Sequence, residues 1–110
     1  MKYRDAIAIG TLGWMLMVPP GHLPPRHAHR DKHAVMVPDA TAPLNGWYPV
    51  ETFSTEMLCR HALGELGGPS PGRDAFVTRY HDPRERKFMV RALSMGQCIA
   101  SDDPRVKDVR

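Results

Sequence analysis

The chain has 110 residues, 15 Lys and Arg against 12 Asp and Glu for a net charge of +3, 42% hydrophobic residues, 11 prolines, 9 glycines and two cysteines. That length holds one small domain at most, which excludes a β/α barrel, a doubly wound nucleotide-binding fold and any multi-domain enzyme. The charge excess is diffuse, with five basic and three acidic side chains in residues 1–46 and ten and nine in residues 47–110. Arg84, Arg86 and Lys87 are interleaved with Asp82 and Glu85. This is the pattern of a solvated helix face rather than of a phosphate-binding stripe, and nucleic acid is not an expected partner.

At the start, Lys2 and Arg4 precede thirteen uncharged, mostly apolar residues from Ala6 to Val18, closed by Pro19-Pro20. A basic start followed by a short apolar run reads as a signal or anchor segment over residues 1–18. As a helix the run would reach about 20 Å, short of a hydrocarbon core of roughly 30 Å, and Gly10, Thr11 and Gly13 dilute it, so export is expected before spanning. The alternative, a buried core helix, needs a packing surface that the Pro-rich stretch behind it does not offer. Small residues do not follow the run at the cleavage positions, and the one A-x-A beyond the run, Ala40-Thr41-Ala42, lies far downstream and is followed by Pro43. Two fates follow: an exported soluble domain, or a domain tethered to the inner membrane through residues 6–18, the tether being slightly favoured.

Residues 19–46 hold six of the eleven prolines and four of the six histidines with little apolar periodicity, and are expected to form a disordered, extended linker. Within it His22, His27, His29 and His33 stand near Asp31, and the spacing of His27, His29 and His33 is that of a weak site for zinc, copper or nickel. No other cofactor is implied.

Residues 47–110 are the expected folded part. Trp47 to Phe53 reads as a short strand, with Pro49 placing it at a sheet edge or start. Ser54 is expected to cap a helix over Thr55 to Leu66, with Phe53 stapled on Leu58, an apolar stripe of Leu58, Cys59, Ala62, Leu63 and Leu66, and Gly67-Gly68 as its stop. Gly67 to Gly72 reads as a loop, and Asp74 to Tyr80 is open between a helical turn and a strand. Asp82, Pro83 and Glu85 open a second helix that runs to Met95, with Phe88, Met89, Ala92 and Leu93 inward and Gly96 just past its end. Gln97 to Ser101 is a last strand, broken by the turn Asp102-Asp103-Pro104. The fold class is therefore α+β, a small strand-helix-helix-strand domain.

Two cysteines in an exported chain of this size, one on a helix face and one in the last strand, read as a Cys59–Cys98 disulfide. Three segments, GWMLMVPP at 13–20, WYPVETFSTEMLC at 47–59 and QCIASDDPRVK at 97–107, resemble a group of short bacterial proteins with a hydrophobic N-terminal segment and a closing C-I-A-S-D-D-P-R motif. No activity is assigned to that group, so the resemblance implies an exported or membrane-anchored architecture and carries over no catalytic residue.

Chemistry-bearing constellations are few. Asp102 and Asp103 with Arg105 could hold a cation, but neighbouring side chains at a strand end diverge and Asp-Pro forms turns, so capping is expected. His61 and His81 are poor bases for Cys59, since His61 is two positions along the same helix and faces elsewhere. There is no nucleophile elbow, phosphate loop or dinucleotide fingerprint, and no catalytic residue is assigned. Trp47 and Tyr48 could serve as exposed recognition aromatics, with core packing the stronger expectation. The expected function is non-catalytic binding or assembly with another envelope protein outside the cytoplasm, with metal binding by the His22 to His33 tract as the alternative.

Overall fold

The computed structural model of the protein describes residues 13–22 and 36–107. It is a small α+β domain with one disulfide. Five strands are described, β1 (Trp14–Val18), β2 (Gly21–His22), β3 (Val37–Pro38), β4 (Tyr48–Phe53) and β5 (Gln97–Ala100), together with four helices, α1 (Glu56–Leu66), α2 (Pro71–Val77), α3 (Pro83–Ser94) and α4 (Pro104–Lys107). The main sheet has the order β4-β1-β5, antiparallel throughout, and β2 and β3 form a separate two-stranded pair.

The central strand is apolar at every position because both of its faces are covered. Leu16 and Val18 enter the main core with Cys59, Leu66, Val77, Met89, Ala92 and Leu93, while Met17 enters a second cluster on the opposite face with Trp47 and Ile99. Side chains alternate across a strand, so a strand buried on both faces loses the polar half of its alternation. Leu16, Met17 and Val18 are all nearly inaccessible, and each contributes on the order of 1.5–3 kcal/mol by burial.

This overturns the expected N-terminal apolar helix where it can be compared. Trp14–Val18 is a strand, and the remainder of the run from Ala6 lies outside the described residues. A short, wholly apolar run cannot be told from a buried helix by periodicity. The expected linker is also shorter than 19–46. Gly21 pairs with Pro38 and His22 with Val37, the Asp39 N–H donates to the Pro20 carbonyl at 2.8 Å, and Pro19 is fully buried. Residues 36–46 likewise belong to the folded body, and residues 23–35 lie outside the described ones.

β4 is an edge strand, and its register with β1 slips between Leu16 and Met17, so that Leu16 pairs with Glu51 and Met17 with Pro49. Val50 is the extra residue of this bulge and packs against the main core. Pro49, which has no N–H to give to a ladder, sits next to the bulge on the edge strand, where it is tolerated.

Thr55, rather than Ser54, caps α1, its hydroxyl accepting from the Leu58 N–H at 3.2 Å. The expected staple of Phe53 on Leu58 is not formed as a buried contact, since Leu58 is 51% exposed. The open stretch from Asp74 is helix as far as Val77, and this helix, α2, also takes in the end of the expected Gly67 to Gly72 loop: Ser70 caps it by accepting from the Arg73 N–H at 2.9 Å, and Pro71 takes the first position. α3 begins as its sequence indicates, with Asp82 accepting from the Arg84 N–H at 2.8 Å, and buries Met89, Ala92 and Leu93. Between α1 and β5 the cysteines are joined, with the sulfurs at 2.15 Å and the Cα atoms 6.0 Å apart. Among the described residues no helix is long and apolar enough to cross a membrane.

Candidate functional site

A cavity of 690 Å³ opens between the start of β4, the β2 and β3 pair, and the α2–α3 helical pair. Its apolar lining comes from Val18 at the end of β1, Met36 beside β3, Tyr48, Pro49 and Val50 of β4, Phe76 and Tyr80 around the end of α2, and Phe88 and Met89 of α3. Arg79, Asp82, Arg84 and Glu85 supply the charges at its mouth. Volume and chemistry match small-molecule or side-chain receptor sites, which run from about 300 to 1,000 Å³ and are mostly apolar with a few polar groups.

Local sequence explains the walls. The α2–α3 connection is short, and Arg86, one turn into α3, reaches back to donate to the carbonyls of Tyr80 and, at 3.0 Å, His81. Those carbonyls belong to the segment between the helices, and the guanidinium holds it against the cavity. The rings of Phe76 and Tyr80 lie 6.3 Å apart in a tilted arrangement, and the Arg79 guanidinium rests 4.3 Å from the centre of the Phe76 ring. On the opposite wall Gly21 has no room for a side chain: a Cβ there would meet Phe88 Cε1 at 2.6 Å and the Met36 methyl carbon at 3.0 Å. The glycine lets the β2 backbone approach the Phe88 ring and closes the floor.

The charged rim is partly self-satisfied. Asp82 binds the backbone and side chain of Arg84, and these bonds, the guanidinium first, hold its carboxyl below the usual range. Arg79 has no carboxylate partner among the described residues. Glu85 lies in the first turn of α3, where the positive helix end offsets its charge.

The other expected sites disperse. Trp47 is buried, its indole N–H donating to the Ala42 carbonyl at 2.9 Å, whereas Tyr48 is 57% exposed at the cavity mouth. The pair is therefore split, one ring in the second core and one at the candidate site. Asp103 accepts from the backbone and guanidinium of Arg105 at 2.9, 3.0 and 2.8 Å, a turn and helix-start arrangement, and these bonds pull its carboxyl down to about 2. His61 and His81 are exposed. His22 is exposed on β2, while His27, His29 and His33 lie outside the described residues. Among the described residues no group of three metal-ligating side chains converges.

Sequence reasoning missed the cavity because its residues come from four separate stretches, 18–21, 36, 48–50 and 76–89, none of which carries a ligand-binding motif. The available signals were Tyr48 at an edge-strand start and the aromatic pair Phe76 and Tyr80 around the end of α2. Comparison with protein-family models, with curated proteins and with solved structures gives no match.

Proposed function

We propose that the chain is a non-catalytic binding domain of the bacterial cell envelope that receives an apolar group in the cavity between β4 and α3. The observation that carries this reading is the open apolar lining of Met36, Tyr48, Phe76 and Phe88 in so small a domain. Contiguous exposed apolar surface is costly in a monomer and marks binding sites. Methionine at such a surface adapts to varied partners. The envelope part of the reading is supported by the Cys59–Cys98 disulfide, which is compatible with an oxidising compartment.

Binding of the neutral apolar dye N-phenyl-1-naphthylamine to the oxidised full chain tests the site. Saturable one-to-one fluorescence enhancement is expected, with loss in Met36→Glu and Tyr48→Glu, both exposed positions at which the substitution leaves the core untouched. A linear, non-saturating response in the native chain would overturn the binding role. Thiol trapping in intact cells tests the compartment: protected, non-alkylated cysteines in the periplasmic fraction are expected, and alkylation of both in a cytosolic fraction contradicts it.

A further inference from the structure

We infer that the group received by this cavity is the single chain of a free anionic amphiphile, such as a medium-chain carboxylate, with its tail along Phe76, Phe88 and Met89 and its head on Arg79. This rests on the binding role proposed above and gives it a ligand class. Three observations lead to it.

The lining contributed by the described residues is mostly apolar. Val18, Met89 and Val50 contribute hydrocarbon, and the backbone polar groups of the wall at Tyr80 and His81 are already taken by Arg86. A ligand that reaches the floor therefore gains by burying hydrocarbon, at roughly 0.8 kcal/mol per methylene removed from water.

The polar end of such a ligand must meet the rim, and the rim favours an anion. Arg79 stands over the apolar lining, its guanidinium carbon 4.3 Å from the centre of the Phe76 ring, with no carboxylate partner among the described residues. A guanidinium over an aromatic face keeps its in-plane N–H donors free for a carboxylate. Asp82 is already occupied by Arg84, and Glu85 is offset by the start of α3. The net charge of +3 acts in the same direction at longer range.

The size of the cavity suits a free small amphiphile. At 690 Å³ it lies inside the range of small-molecule sites and is bounded by β4 on one side and α3 on the other. A single medium-chain carboxylate fits within that volume.

The test compares decanoate, decanol and decyltrimethylammonium, each kept monomeric in solution, as competitors of bound N-phenyl-1-naphthylamine on the oxidised full chain. Decanoate is expected to displace the dye at a concentration about tenfold below that of the ammonium analogue, the scale of one charge-assisted hydrogen bond. Arg79→Gln should remove that preference, decanoate and the ammonium analogue then displacing the dye at the same concentration when each is read against the variant's own dye affinity. Equal displacement by the three competitors, or a preference that survives Arg79→Gln, overturns the anionic head while leaving the apolar site standing. Failure of the dye itself to bind overturns both. Sedimentation with phosphatidylglycerol vesicles in place of any decanoate effect would transfer the role to a membrane surface and refute the free ligand.

Discussion

Leu16, at the middle of the central strand, is paired in register with Cys98, whose sulfur is bonded to Cys59 of α1. The disulfide thus fastens the first helix to the last strand directly beside the most buried residue of the sheet. Cys59 is itself inaccessible and sits in the same cluster as Leu16. The cross-link and the hydrophobic core are one structure, and the two should fail together.

Replacing both cysteines by alanine tests that coupling. With 39 positions between them, the loop-closure account gives about 4 kcal/mol of lost stability, against a total that for small domains is on the order of 5–15 kcal/mol. Urea unfolding of the double variant followed by tryptophan fluorescence should show a midpoint far below that of the oxidised chain, and the same shift on reducing the native protein. An unchanged midpoint contradicts the coupling.

The central strand makes a second prediction about processing. Removal of the chain through Ala42, at the A-x-A beyond the apolar run, would take β1 out from between β4 and β5 and leave neither with its partner. Folded protein recovered from cells is therefore expected to retain Trp14–Val18, as read by intact mass, and a variant lacking residues up to Val18 should show no cooperative unfolding. Leu16→Ala, which keeps the strand but opens a cavity, should cost about 2–5 kcal/mol.

The same strand shows where the sequence was legible and where it was not. Capping and helix-start chemistry is local, so Asp82-Pro83 marked α3, and α1 was readable to within one residue of its cap, with a stripe that fails only at the exposed Leu58. The cysteine pair was readable because two sulfurs in a chain this short have few other roles. Trp14–Val18 was not readable as a strand, because its identity depends on two surfaces brought from residues 39–47 and 56–99. Basic residues ahead of an apolar run look alike whether the run enters a membrane or a sheet. The cavity is the least local feature: Gly21, Tyr48, Arg79 and Phe88 meet only through the tertiary fold.

Gly21→Ala probes the cavity wall. The added methyl would stand 2.6 Å from Phe88 Cε1, so the ring must swing toward the cavity. Crowding of this kind costs about 1–3 kcal/mol. A lowered unfolding midpoint together with weaker dye binding is expected, and a variant that binds dye as the native chain does would show that Phe88 does not form the wall.

Arg86→Met should loosen the other wall with little change in the core. It removes the donors to the Tyr80 and His81 carbonyls and keeps the length of the side chain. Amide exchange is expected to accelerate across residues 78–82 and not in β1 or β5, and dye affinity to fall several-fold by loss of a preformed wall. Uniform acceleration through the sheet would instead mean that Arg86 supports the whole fold.

Acid dependence follows from the three carboxylates held below their usual range. Asp39 is lowered by the Thr41 hydroxyl and backbone N–H, Asp82 by Arg84, and Asp103 by Arg105 to about 2. A carboxylate with a depressed folded-state pKa stabilises the fold above its unfolded value of about 3.9, and that contribution disappears as pH falls through the folded value. For Asp103 the window therefore runs from about pH 4 down to about 2. All three are partly exposed, so salt will flatten the effect. Carboxyl-carbon NMR titration should place the Asp103 midpoint near 2, and Asp103→Asn should be less stable than the native chain at neutral pH and converge with it below that midpoint. A midpoint at or above the unfolded value would mean that Arg105 does not hold Asp103 in solution, and that α4 starts without this anchor.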